Sequence, residues 1–254
     1  MDIDEKVLGI DGAKGGWVVA TCKKGEVFVQ FFEKIEDVWQ LYESKAKLIL
    51  IDIPIGLPHS QKRYRSCDEE VRKFLGYPRS SSIFSPPCRE VFKAKSYTKA
   101  LAINKEVLGK GLSKQVWNIV PKIKEVDEFI IKNPEAIELI KESHPEVAFK
   151  GLKGEAAKFS KRDEEGYKER IEFLRKLFKN FNCEIVENKI EGLKRDDIVD
   201  ALILLMTGIL AIKGEKVGSE ICSFPTNFKE KDLLGLPMEI FFVKFSRLNE
   251  FSIE

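Results

Sequence analysis

The opening stretch restricts the fold more than any other feature, because it reads strand, strand, strand, helix, strand with few residues to spare. Lys6–Asp11 is a short apolar strand running into Gly12, Gly16–Cys22 is a second and Val27–Phe32 a third. The tight Lys23-Lys24-Gly25 turn between the last two suits a hairpin. Ile35, Val38, Trp39 and Tyr42 then recur at i, i+3, i+4 and i+7, the spacing of an amphipathic helix. Lys47–Ile53 follows as a near-continuous apolar run, expected for a strand covered on both faces. This order predicts an α/β mixed sheet, a three-strand antiparallel meander followed by parallel strands, with helices on both faces.

The middle of the chain is less regular. Ser66 precedes Glu69 by three residues, a capping box predicting a helix that ends near Gly76. Residues 77–91, with three prolines and four serines, read as a loop. A helical stripe runs from Ser113 through Val116, Ile119, Val120, Ile123, Val126 and Ile130, which Pro121 should kink or open. Ala136–Ser143 reads as a strand or a short helix, and a strand ending at Glu142 is favoured because His144-Pro145 stops a helix there. Ile171, Leu174, Leu177 and Phe181 mark another helix, Cys183–Val186 a short strand, and Asp196–Ile212 a helix apolar on nearly all sides. No repeat or linker interrupts the chain. The expectation is one domain over residues 1–254 with a mostly helical and loop insertion at about 59–135.

Composition narrows the function classes. Lys+Arg number 43 against 41 Asp+Glu, a net charge of +2, which excludes nucleic-acid affinity from bulk charge and an acidic disordered chain. The cysteines Cys22, Cys67, Cys88, Cys183 and Cys222 show neither a C-x-x-C pair nor zinc spacing. Scattered, odd in number and without a signal peptide, they point to reduced thiols and a cytoplasmic location. Ile198–Ile212 is shorter than the roughly 20 residues of a membrane span and contains Asp200, so no membrane is expected.

Four carboxylates stand out by position. Asp11 ends the first strand before Gly12, and Asp52 lies inside the most apolar strand between Ile51 and Ile53. Asp197 and Asp200 share one helix face, with Asp200 enclosed by Ile198, Val199, Ala201 and Leu202. A buried carboxylate is costly unless paired, hydrogen-bonded or metal-bound. With no lysines interleaved beside them in sequence, the four call for a common cation, and oxygen-only ligands suit Mg²⁺ or Mn²⁺ better than zinc. Singly, each has a plainer reading: a turn aspartate at Asp11, a strand-end cap at Asp52, a solvated first-turn acid at Asp197.

The joint pattern resembles the RNase H-like fold, with acids on the first and fourth strands and on a late helix. Asp197-x-x-Asp200-Ala201-Leu202 resembles the last-helix signature of RuvC-type Holliday junction resolvases. More closely, Gly9–Trp17 (GIDGAKGGW), Ile51–Pro58 (IDIPIGLP), Glu142–Phe149 (ESHPEVAF) and Asp196–Leu202 (DDIVDAL) resemble, in order, the blocks of domain-of-unknown-function family 429. That family is predicted to hold RNase H-fold nucleases. The resemblance implies Asp11, Asp52, Asp197 and Asp200 as metal ligands; Glu142 and Glu146 fall in a block without an assigned role.

A nuclease of this kind would use two divalent ions about 3.5–4 Å apart to activate a water and stabilise the leaving 3′-oxygen. Asp11 would bridge them, Glu142 would serve as a catalytic or supporting acid, and Lys14 would reach a phosphate oxygen unless it is a solvated turn lysine. His59 and His144 each follow a motif acid closely, suited to proton transfer or phosphate contact, or else are ordinary turn histidines. Residues 61–100 hold ten Lys+Arg and four Asp+Glu, a local net of +6. With Tyr64, Phe74, Tyr77, Phe84, Phe92 and Tyr97 among them, these cations suit a nucleic-acid backbone and unstacked bases, Arg63, Arg65 and Arg79 being the phosphate candidates. The plainer alternative is a solvated surface. The expected partner is DNA or RNA, and the reading allows a homodimer. Two rivals remain: an actin-like ATP-binding phosphotransferase, which needs a second strand-Asp-Gly unit not seen here, and a non-catalytic binding or assembly module that keeps the acids for structure.

Overall fold

The computed structural model describes residues 6–178 and 193–246. The chain divides into two compact units, one of Met1–Asp52, Glu138–Cys222 and Phe241–Glu254, the other of Ile53–Ile137 and Ser223–Ile240. The insertion expected at about 59–135 falls within the second unit, which also takes in residues from beyond the last helix.

In the first unit, β1 (Val7–Ala13), β2 (Gly16–Lys23) and β3 (Glu26–Phe32) form the antiparallel meander, followed by α1 (Ile35–Tyr42) and β4 (Leu48–Ile51). With β5 (Ile140–Glu142) they make a five-stranded sheet of order β3-β2-β1-β4-β5, in which β1–β4 and β4–β5 are parallel. This is an RNase H-like mixed sheet. β4 is shorter than expected: Asp52 lies just past its end rather than inside it, because Pro54 has no N–H to extend the ladder. The Asp52 N–H still donates to the Ile10 carbonyl at 2.9 Å, so it stays in line with β1. Ala136–Leu139 is a helical turn (α5) before β5, where a strand throughout was favoured over a short helix; the preceding turn, closed by the Ala136 N–H on the Asn133 carbonyl at 2.9 Å, leads into it.

One face of the sheet carries α6 (Pro145–Lys153), α7 (Glu164–Leu177) and α8 (Arg195–Lys213). Their apolar residues join Val7, Val18, Ala20 and Leu50 in one core, while α1 packs on β2 and β3 through Ile35, Val38, Trp39 and Tyr42. Every residue of α8 from Ile198 to Ala211 is buried, each Leu or Ile contributing about 1.5–3 kcal/mol. Gly9 permits the close crossing: a Cβ there would sit 2.1 Å from the Ala201 carbonyl oxygen. Gly208 lies over Val7. The helix therefore runs antiparallel to β1, its N-terminal turns over the C-terminal end of the strand. Phe181 and the strand expected at Cys183–Val186 lie outside the described residues.

The second unit holds α2 (Ser66–Leu75), α3 (Tyr97–Leu108) and α4 (Lys114–Lys132). Val91, Ala100, Leu108, Val116 and Val120 share a core. Ser66 is not the cap that the S-x-x-E pattern predicts; it is the first helical residue, and its N–H and hydroxyl donate to Glu230 at 2.9 Å each. Pro121 sits in the interior of α4, which continues through it. The stretch read as a loop, 77–91, contains the 3₁₀ turn Arg79–Ser82 and the start of a second, Arg89–Lys93. Among the described residues no helix is long and apolar enough to cross a membrane.

Candidate functional site

Three of the expected acids lie at the same end of the sheet in the first unit. Val7, Gly9 and Asp11 point to the α8 face of β1, and Leu48, Leu50 and Asp52 to the same face beyond β4. The β1–β4 register pairs Ile10 with Ile51, so its next step sets Asp11 beside Asp52. Asp200, two turns into α8, is brought to the same end of the sheet by the helix direction. Asp11 and Asp200 are buried and Asp52 half-buried.

Their charges act on one another. Burial pushes the Asp11 carboxyl well above the usual range, and Asp52 and Asp200 push it further. Burial raises Asp52 to about 6 against the pull of Lys161, with Glu146 adding to the rise. Asp200 is raised by burial too, although Lys161 opposes the shift and is bonded to it. Asp197 is half-buried at the margin; burial raises it to about 6, and its nearest charges are those of its own helix turn, Asp196 and Lys194.

The cation among these acids is Lys161, which sequence reasoning missed. Its ammonium pairs with an Asp200 carboxylate oxygen. Burial favours the neutral amine, but Asp200, Asp11 and Asp52 outweigh it and hold the group charged. No lysine is interleaved with these carboxylates in sequence, but one reaches them in space from the turn before α7. Its polar surroundings in sequence conceal it, and the available signal was Gly166. A Cβ at Gly166 would lie 1.8 Å from the Ser160 carbonyl oxygen, so that glycine lets the turn bearing Lys161 press against α7.

Two buried oxygens at the same end lack a hydrogen-bond partner among the described residues, Ser143 Oγ and Glu146 Oε2. Ser143 N–H donates to the Ile51 carbonyl at 3.0 Å, which puts Ser143 beside Asp52 on the α8 face. Glu146 pairs through its other oxygen with the buried Arg170. Glu142, expected at the site, pairs in register with Ile51, and both residues point to the opposite face of the sheet. Glu146, one helical turn on, is the acid of that block whose charge reaches Asp52 and Asp200. His144 caps α6, its Nδ1 accepting the Glu146 N–H at 3.2 Å. Lys14 is exposed in the two-residue β1–β2 turn.

The other basic candidates belong to the second unit. Arg63 is exposed. Arg65 is buried, its guanidinium on Cys67, the Gly56 carbonyl and Asp68, so it is a core residue rather than a surface phosphate contact. Arg79 is half-buried with Nε unpartnered among the described residues, as is His59 with Nδ1. Arg72 donates to Ile83 O and Ser85, Arg89 pairs with Asp127 and Asp232, and Lys62 pairs with Glu230. Of the ten cations in 61–100, Arg63, Lys73, Lys93, Lys95 and Lys99 remain exposed.

A divalent ion fits this donor set chemically: the site offers oxygen ligands, carries more acid than base, leaves a Glu146 oxygen unmatched and already seats an ammonium. Among the described residues no three His, Cys, Asp or Glu groups stand close enough to form a ready metal set. The carboxylates are arrayed around the lysine instead.

An α/β protein with an RNase H-like sheet and an acid cluster at the C-terminal ends of its central parallel strands is the class so defined. Residues 9–227 match the family described as Protein of unknown function (DUF429), and the chain belongs to that family. No curated protein and no solved structure gives a significant match.

Proposed function

We propose that the chain is a divalent-metal-dependent nuclease that hydrolyses nucleic-acid phosphodiester bonds at the Asp11–Asp52–Asp200 cluster. The observation that carries this reading is the accumulation of three mutually repelling carboxylates from β1, the end of β4 and α8 around Lys161. Asp11, Asp52 and Asp200 would hold Mg²⁺ or Mn²⁺, with Asp197 at the margin. The ion, when bound, supplies Lewis acidity that makes water a better nucleophile and stabilises the oxygen leaving phosphorus. The buried acids give the ion a low-dielectric seat, and the Gly12 N–H, donating to Asp11 Oδ1 at 2.7 Å, fixes that carboxylate. Exposed Lys14 stands near the end of the same strand as a phosphate contact. Arg63, Lys73, Lys93, Lys95 and Lys99 give the second unit a basic surface suited to a nucleic-acid backbone.

The test is cleavage of labelled single-stranded, duplex and junction DNA and of RNA, with Mn²⁺, Mg²⁺ or EDTA. Wild type should cut at least one substrate with metal only, and Asp11→Asn and Asp200→Asn should fall to background. Cutting that persists in both variants would assign it to a contaminant and remove the reading. A second reading, that the acids serve structure alone, draws on the Lys161–Asp200 pair. It predicts no response of the wild type to either metal.

A further inference from the structure

Lys161 is built into the acid cluster. The turn that carries it is fastened to α7 at several points: Glu169 accepts the Lys158 N–H at 2.9 Å and the Phe159 N–H at 3.3 Å. Arg170 Nη1 donates to the Gly166 carbonyl at 2.8 Å and to the Phe159 carbonyl at 3.3 Å, while Nη2 bonds Glu146. Arg170 thus ties the lysine-bearing turn to Glu146, whose charge reaches Asp52 and Asp200. Backbone carbonyls and a buried arginine hold this turn where a loosely placed surface lysine would need no support.

An ammonium is nonetheless an incomplete partner here. It brings one positive charge and three donors to Asp11, Asp52 and Asp200, and the buried Glu146 Oε2 and Ser143 Oγ stay unmatched among the described residues. The Lys161 side chain keeps 36% of its surface exposed, against 2% for Asp200, so it can withdraw to water on its flexible four-carbon stem without the turn moving.

From this arrangement we propose that Lys161 is a tethered counter-ion that competes with the divalent ion, so that metal loads only as the ammonium leaves Asp200. The inference rests on the metal-dependent reading above. It gives the cluster two states, a lysine-closed one and a metal-bound one in which the released ammonium stands at the mouth.

Calorimetric titration of the intact chain with Mn²⁺ tests it, using wild type, Lys161→Met and Lys161→Arg, each first checked for folding by circular dichroism. Removing a positive charge at contact distance should tighten Mn²⁺ binding by about tenfold or more in Lys161→Met. Lys161→Arg, which keeps the charge, should stay within about threefold of wild type. Equal or weaker binding by Lys161→Met while wild type binds overturns the competition and leaves the metal reading standing; no binding by either overturns both. Should Lys161→Met not fold, the wild type alone decides. Acetylation of Lys161 by an amine-reactive ester, read by mass spectrometry, should rise severalfold at saturating Mn²⁺. An unchanged rate in protein that binds Mn²⁺ overturns the proposal.

Discussion

Each unit buries ionic groups, and the two sets are built in opposite ways. In the second unit Arg89 forms a two-pronged pair with Asp127, at 2.7 and 2.8 Å, and also pairs with Asp232. Asp232 further accepts the N–H groups of Leu57, Leu234 and Leu236 at 2.9–3.0 Å. Its lone pairs are used by the protein itself. In the first unit Asp11, Asp52 and Asp200 face one lysine, all three raised by burial, with a Glu146 oxygen left over beside them. Buried charge is tolerated where the chain supplies every partner; where it does not, as around Asp11, Asp52 and Asp200, the carboxylates are pushed toward their neutral form.

The largest expected effect comes from the satisfied set. Asp232→Ala should cost about 3–5 kcal/mol in urea unfolding, because it takes one of the two carboxylates from Arg89 and leaves three backbone donors without their acceptor at once. A loss under about 1 kcal/mol would erase the contrast between the units. Next is the pH response of the unsatisfied set. Asp52 and Asp197 titrate near 6 in the folded chain, with Asp11 and Asp200 also raised, against about 4 for an unfolded carboxylate. Between those values the folded state binds more protons, so the contribution of these groups to stability falls as pH rises through the window. The metal-free melting temperature should drop by about 3 °C or more from pH 4.5 to 7, and Asp52→Asn should flatten that drop. A wild-type curve that rises with pH by the same margin, and is unaltered by Asp52→Asn, would contradict the assignment.

A smaller effect is expected of Asp11→Asn without metal. The amide keeps the acceptor for the Gly12 N–H and removes a repulsion, so stability should hold or increase by about 1 kcal/mol. Destabilisation beyond about 2 kcal/mol would make Asp11 structural, like Asp232. Smallest of all, reversing the exposed Arg63, Lys93 and Lys95 to Glu should leave melting unchanged. It should also reduce the log–log salt slope of nucleic-acid binding by about 0.7–0.9 for each phosphate that the variant no longer neutralises. Arg65→Glu, in contrast, should unfold the second unit, since it buries a carboxylate against Asp68.

What the sequence revealed follows from the range of the forces involved. The meander, α1, β4 and α8 are legible because apolar periodicity is local, and Asp11 and Asp200 are legible because a charge inside such a pattern has few explanations. Asp52 is legible as a member of the acid cluster but not as a residue just past its strand, since where β4 stops depends on Pro54. Lys161 and Arg65 are not legible. Both are cations in polar stretches, and only tertiary partners, Asp200 for one and Asp68 with Cys67 for the other, distinguish them from surface charges. Glu142 and Glu146 differ in role by strand parity and one helical turn, which a strand of three residues leaves ambiguous until its register is known.

Soaking crystals of the intact chain in Mn²⁺ and mapping its anomalous scattering tests the central claim most directly. The account predicts a peak within inner-sphere distance, about 2.1 Å, of the Asp11, Asp52 and Asp200 carboxylates, with the Lys161 ammonium withdrawn from Asp200. Lys161 still paired with Asp200 at saturating Mn²⁺, and no peak among the three carboxylates, would contradict it.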